Sequence, residues 1–196
     1  TESKTLEFDP DKPIKSTGDM RPWSTKKPND YSKKSHINYA VHDSRWEAHT
    51  VFELERNSNV ESWVKNERIG FGINYIYNGI LHTFYPDFLI CLDNGITLVL
   101  EIKGIDSDQN KTKRTFLKEW VEAVTEDGRF GVWTSDVAFA QSEVKGIIKK
   151  HSESNQAQNI TAKCPKCEKS AENRVKVEKL FGFRNMDGFT RVQSYC

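Results

Sequence analysis

The segment YPDFLICLDNGITLVLEIKG, residues 85–104, decides how this chain is read. Two apolar runs flank Asp93-Asn94-Gly95, a turn signal that folds one run back on the other. The second run, ITLVLEI, is nearly all apolar, which predicts a central strand buried on both faces. Residues i and i+2 of a strand share a face, so Glu101 and Lys103 project together. Thirteen residues separate Asp87 from Glu101, which suits two strands of about five or six residues and a turn. Pairing across that turn places Asp87 in the middle of a strand, ILHTFYPDFLICL (80–92), opposite Glu101 and Lys103.

Two carboxylates and an ammonium thus converge on an otherwise apolar sheet. Burying such charges without partners costs several kcal/mol each. A divalent cation relieves that cost, and carboxylate oxygens suit Mg²⁺ or Mn²⁺. Phosphodiester hydrolysis needs these parts: a metal-bound water as nucleophile, and a lysine to orient it or stabilise developing charge. The plainer alternative is an ion pair of Lys103 with Asp87 or Glu101.

Working outward, DSRWEAHTVFELER (43–56) reads as a helix capped by Asp43 or Ser44. Ala48, Val51, Phe52 and Glu55 share one side, and Glu47, Val51 and Leu54 recur at helical spacing, so Glu47 sits beside the core-facing side. VESWVKN predicts a strand, and FGINYIY leads into the Asn78-Gly79 hairpin signal. After the 85–104 segment, KTKRTFLKEWVEAVTED (111–127) is amphipathic through Phe116, Leu117, Trp120, Val121 and Val124, and Gly128 ends it. FGVWTS predicts a further strand and SEVKGIIKKH a short helix. The order implies a mixed α/β sheet with helices packed on it.

With these elements in place, "DSRWE…VKNERIGFGINYIYNG…YPDFLICLDNGITLVLEIKG…GRFGVW" resembles the PD-(D/E)xK nuclease superfamily. More closely, it is similar to the C-terminal endonuclease domain of type III restriction-type helicase subunits, over roughly residues 30–150. The resemblance implies a restriction-endonuclease-like fold, a central mixed four-stranded sheet flanked by helices. It also implies metal ligation by Asp87, Glu101 and the backbone carbonyl of Ile102, with Lys103 as the catalytic lysine. Glu47 matches the acidic residue that many members place on the first helix as a further ligand; otherwise it is an ordinary helix-rim carboxylate. Some relatives carry Gln-x-x-x-Tyr on the helix after the active strand, whereas here Gln109 is followed by Lys113. Lys113 leans toward the sheet and either contacts the scissile phosphate or belongs to a solvated helix start. Lys111 and Arg114 read as backbone-contact or surface residues, and His82 and Tyr85 as facing away from Asp87.

The resulting expectation is a Mg²⁺-dependent endodeoxyribonuclease module of a restriction or phage-defence system. A helicase or recognition subunit, in cis or in trans, would supply specificity, since no phosphate-cradling Gly-Lys-Ser/Thr loop is present. A homodimer would suit double-strand cleavage. The alternatives are a non-cleaving nucleic-acid-binding module on the same fold and an RNA nuclease.

The expected domains are an extended N-terminal arm (1–40), the nuclease domain (41–150), a linker (151–160) and a cysteine-containing tail (161–196). The arm would either wrap on the domain through Trp23 and Tyr31 or be a disordered linker. In the tail, Cys164-Pro-Lys-Cys167 has zinc-ligand spacing and Cys196 is a natural third ligand, so the tail reads as a small zinc-ribbon-like unit around a structural Zn²⁺; the alternative is reduced thiols in a loose tail. The fourth ligand would lie beyond the chain's end, be a water, or be His151. Eight Lys and Arg residues make this tail basic.

Composition sets outer bounds. Lys plus Arg (29) nearly balance Asp plus Glu (28), so polyanion binding must come from local clusters rather than the net charge of +1. At 36% hydrophobic residues the core is modest, and five Trp and eleven Phe partly offset that. No apolar run approaches the ~20 residues of a membrane span and no signal peptide is visible, so the expected location is cytoplasmic.

Overall fold

The computed structural model describes residues 16–104 and 106–154, together with the backbone of four short strands, Ala162–Lys163, Ser170–Ala171, Phe183–Met186 and Phe189–Val192. In chain order the main elements are β1 (Asn29–Tyr31), β2 (Tyr39–Val41), α1 (Arg45–Arg56), β3 (Val60–Lys65), β4 (Ile73–Tyr77), β5 (Ile80–Phe84), β6 (Phe88–Leu92), β7 (Thr97–Ile102), α2 (Asp108–Asp127), β8 (Trp133–Ala138) and α3 (Glu143–Ser152). The protein is α/β, with a mixed four-stranded sheet in the order β3-β6-β7-β8 and three α-helices. β6 runs antiparallel to β3 and β7, whereas β8 runs parallel to β7 after the α2 crossover.

β7 lies inside the sheet, and its consecutive Leu98, Val99 and Leu100 are fully buried. The alternation of a strand sends Leu98 and Leu100 into a core shared with α1 and α3, through Val51, Leu54, Val144 and Ile148. It sends Val99 into a second core with Leu117 and Val121 of α2 and with Ile73, Tyr75 and Phe84 of the β4–β5 hairpin. Two covered faces explain why the strand is apolar without a polar interval.

The hairpin departs from the sequence reading. β4 and β5 form a sheet of their own, turned by Asn78 and Gly79 at φ 51° and 76°, the left-handed pair of a two-residue turn. The run 80–92 is therefore not one strand. Pro86 has no N–H for a ladder, and the chain leaves the hairpin at Phe84 and joins the central sheet only at Phe88.

α1 starts at Ser44, whose Oγ accepts from the Glu47 N–H at 3.1 Å. Phe52, expected on its packed side, is 52% exposed beneath the Arg56 guanidinium. Glu55 explains the carboxylate on that side: it accepts from Ser32 Oγ (2.6 Å), Lys33 N–H (2.7 Å) and the Trp63 indole (3.4 Å). Burial opposes its ionisation, but these donors hold its carboxyl below the ordinary value.

Glu55 thereby fastens residues 32–34 to α1. Lys34 Nζ adds bonds to the carbonyls of Asn57 and Val60. Residues 29–41 are thus a β1–β2 hairpin laid on the domain. Trp23 is held against Arg68, but Tyr31 is exposed, with its ring edge-on to that of Tyr39. At the other end, α3 continues into the expected linker as far as Ser152. Cys164, Cys167 and Cys196, with the zinc reading that rests on them, lie outside the described residues. His151 is buried with Nε2 2.9 Å from Asp136 Oδ2 and Nδ1 3.4 Å from Thr134 Oγ1. Both ring nitrogens are thus engaged in the α3–β8 seam.

Candidate metal centre

The β6–β7 register pairs Phe88 with Leu100, which sets Asp87 opposite Glu101 on the α2 side of the sheet. Asp87 lies just before β6 rather than inside a strand, and it is still tied to β7. Its Oδ2 accepts the Ile102 N–H at 2.7 Å, and its carbonyl accepts the Asn66 N–H at 2.8 Å. Glu101 is 6% exposed. Its Oε1 lies 2.8 Å from Lys103 Nζ, while Oε2 is buried with no hydrogen-bond partner among the described residues.

The electrostatics follow from that geometry. Burial, and then the neighbouring Glu101 carboxylate, push the Asp87 carboxyl up to about 6 from 3.8, against the Ile102 N–H and the Lys103 charge. Burial would depress the Lys103 ammonium, but the hydrogen bond and charge of Glu101, with Asp87, hold it above the ordinary lysine value. Lys103 is the lysine paired directly with this carboxylate couple, and it bonds one of the two carboxylates. An orphaned carboxylate oxygen and a carboxyl resisting ionisation are unfavourable features that a bound cation would relieve.

Lys113 reaches this patch. With Phe84, Asn110, Arg114 and Leu117 it lines a narrow cleft that contains Glu101 and Lys103, and its Nζ lies 5.8 Å from the centre of the Tyr75 ring. Gln109 donates to the Tyr75 hydroxyl at 2.7 Å, so the tyrosine beside Gln109 and Lys113 comes from β4, not from α2. Arg114 forms a two-bond pair with Asp106, and Lys111 pairs with Asp108. His82 stacks on Tyr75, and Tyr85 is exposed.

Glu47 stands near enough to raise the Asp87 carboxyl slightly. Its Oε2 is taken by Lys65 Nζ at 2.9 Å and by the Asp43 N–H at 2.7 Å. Joining Asp87 and Glu101 on one ion would require it to leave Lys65. Among the described residues no group of three or more His, Cys, Asp or Glu side chains is poised to hold a metal. The carboxylates available for an ion are therefore the Asp87–Glu101 pair, beside the Ile102 carbonyl at the end of β7.

Asn66 is a site residue that the sequence reading missed. Its side chain donates to the carbonyls of Phe71 (2.7 Å) and Pro86 (2.8 Å) and accepts the Phe71 N–H at 3.2 Å. It closes the 66–71 loop and fixes the Pro86-Asp87 approach to β6. Its only sequence signal is a turn-forming residue at the end of an apolar strand. Asn66→Ala is expected to cost about 2–3 kcal/mol in urea unfolding, because three part-buried bonds are lost together. Wild-type stability in that variant would show that the loop stands without it.

Comparisons with protein-family models, with curated proteins and with solved structures returned no match. The functional reading therefore rests on the chain's own residues and on the motif they form.

Proposed function

We propose that this chain is a metal-dependent endodeoxyribonuclease module whose hydrolytic centre is Asp87, Glu101 and Lys103. The observation that carries the reading is the unpartnered Glu101 Oε2, buried opposite Asp87 and beside the Lys103 ammonium. Two hard carboxylates and the Ile102 carbonyl fit Mg²⁺ or Mn²⁺, as the PD…ExK motif implies. When bound, such an ion supplies an acidified water and neutralises charge on a phosphate.

The chain's own residues do the rest. Asp87 and Glu101 hold the ion, and the Ile102 N–H orients Asp87. Lys103 offers a proton donor and a positive charge where the scissile phosphate would gain negative charge. Lys113 adds a second cation on the α2 side of the same cleft. Among the described residues no helix is long and apolar enough to cross a membrane. The proposed setting is a restriction or defence assembly in which a helicase or recognition subunit selects the target.

The test is incubation of the full chain with supercoiled plasmid, single-stranded DNA and RNA, in Mg²⁺, Mn²⁺ or EDTA. Metal-dependent plasmid nicking that disappears in Asp87→Ala and Glu101→Ala supports the reading. Cleavage that persists in EDTA, or in either variant, overturns it, and RNA-only cleavage overturns the substrate.

A further inference from the structure

A second feature shares no lining residue with the cleft of the metal centre. It is an open cavity of about 470 Å³ between the arm and the β1–β2 hairpin. Its walls include Arg21, Trp23, His36, Asn38 and Tyr39, and among the described side chains no carboxylate lines it. The described arm, residues 16–41, carries five Lys and Arg against two Asp, in a chain that is otherwise nearly neutral. Tyr39 is half exposed at the rim, with Tyr31 edge-on to it at 5.7 Å.

The cavity is physically joined to the candidate centre. Trp23 and Tyr39 also line a narrow cleft with Lys65 and Glu67, the residues that flank Asn66. Asn66 in turn holds the Asp87 carbonyl. Arg68, on the same loop, places its guanidinium 5.4 Å from the centre of the Trp23 ring without lining the cavity. Its backbone is left-handed, φ 62°, which costs a non-glycine residue on the order of 1–2 kcal/mol. The loop that positions Asp87 is therefore held in a strained form with its arginine over the arm's tryptophan.

Aromatic faces beside an arginine, an imidazole and a side-chain amide suit a flat neutral ring on an anionic backbone. A cationic ligand such as a methylated lysine would meet the Arg21 charge and, among the described side chains of the wall, no carboxylate. Bases inside a duplex are stacked on each other and cannot enter such a cavity. We propose that the Trp23–Tyr39 cavity receives an unpaired nucleobase, so that the substrate is nucleic acid with a single-stranded stretch next to the scissile bond. The substrate claim rests on the nuclease reading above, whereas the cavity's affinity for a single strand does not.

The test separates the two. Binding of fluorescein-labelled dT12 and of a blunt duplex to the full chain is measured by anisotropy in EDTA, where no metal-dependent cleavage occurs. The single strand is expected to bind more tightly and to quench tryptophan emission. Trp23→Ala is expected to weaken dT12 binding about 5- to 150-fold, the range for losing one base–aromatic stack. Trp23→Phe keeps a stacking face and should recover most of that loss, while circular dichroism melts show whether either variant is folded. Equal binding of duplex and single strand overturns the inference. So does unchanged dT12 affinity in Trp23→Ala, or displacement of dT12 by a trimethyl-lysine peptide. If the wild type binds dT12 through Trp23 but cuts nothing in Mg²⁺ or Mn²⁺, the nuclease reading falls and the nucleobase site stands.

Discussion

Lys103→Met is expected to lower metal-dependent cleavage by about 10²- to 10⁴-fold, the usual worth of a positioned proton-transfer or charge-stabilising group. Methionine keeps an unbranched stem in the cleft, so lost packing contributes little. Lys103 Nζ is 2.8 Å from Glu101 Oε1, and the residue keeps 28% side-chain exposure toward the cleft. Removing it takes away the cation paired with Glu101 at 2.8 Å, so the metal-free variant should be less stable than wild type. The same ammonium competes with a metal ion for the Glu101 carboxylate. Mg²⁺ or Mn²⁺ affinity, read by calorimetry, should therefore hold steady or rise while single-turnover cleavage collapses. That opposite movement identifies a residue acting on the reaction and not on the ion. Cleavage at the wild-type rate would remove Lys103 from the chemistry. Parallel loss of metal binding would make it a structural partner of Glu101.

The part of this site that was legible in the sequence depended on short-range geometry. An Asx-Gly turn and two short arms fix which residues oppose each other, so Asp87 faces Glu101 even though the strand assumed to hold Asp87 does not exist as such. The two-residue period placed Lys103 on the same face, and the helical period leaned Lys113 toward it. The central position of β7 followed from its unbroken apolar run.

What was not legible depended on long-range partners. Nothing local to YIYNGILHTF shows that its hairpin leaves the central sheet. That separation arises because one face of the hairpin packs on α2 while Pro86 interrupts the ladder. Glu47 has the spacing of a site carboxylate, but its charge is balanced by Lys65, eighteen residues away on β3. Glu55 and Phe52 exchange the roles expected of a carboxylate and an aromatic ring, because residues 32–34 bring donors to Glu55 and leave Phe52 to solvent. Side-chain partners contributed by distant segments leave no periodic trace.

Asp87→Asn is expected to stabilise the metal-free protein at neutral pH while removing its response to metal. The wild-type carboxyl sits at about 6 in the folded chain against an ordinary aspartate value of 3.8. A carboxyl whose value is raised on folding contributes its stability below the unfolded value, and that contribution is lost as pH climbs through the folded value. The wild type should therefore lose stability between about pH 4 and pH 6. A shift of that size corresponds to roughly 3 kcal/mol, and partial solvent access reduces it to on the order of 1–2 kcal/mol. Asparagine cannot ionise, keeps a carbonyl for the Ile102 N–H, and ends the repulsion with Glu101. In EDTA at pH 7 its melting temperature should exceed the wild type's by about 2–8 °C, and the gap should close near pH 4. Adding Mg²⁺ at about 100 times its dissociation constant would raise the wild type by about 2.7 kcal/mol and leave Asp87→Asn nearly unmoved, so the order of stabilities reverses. A variant that melts below wild type at pH 7 without metal would mean that the Asp87 carboxylate is not under strain. The case that its position was built to hold a cation would then lose its electrostatic half.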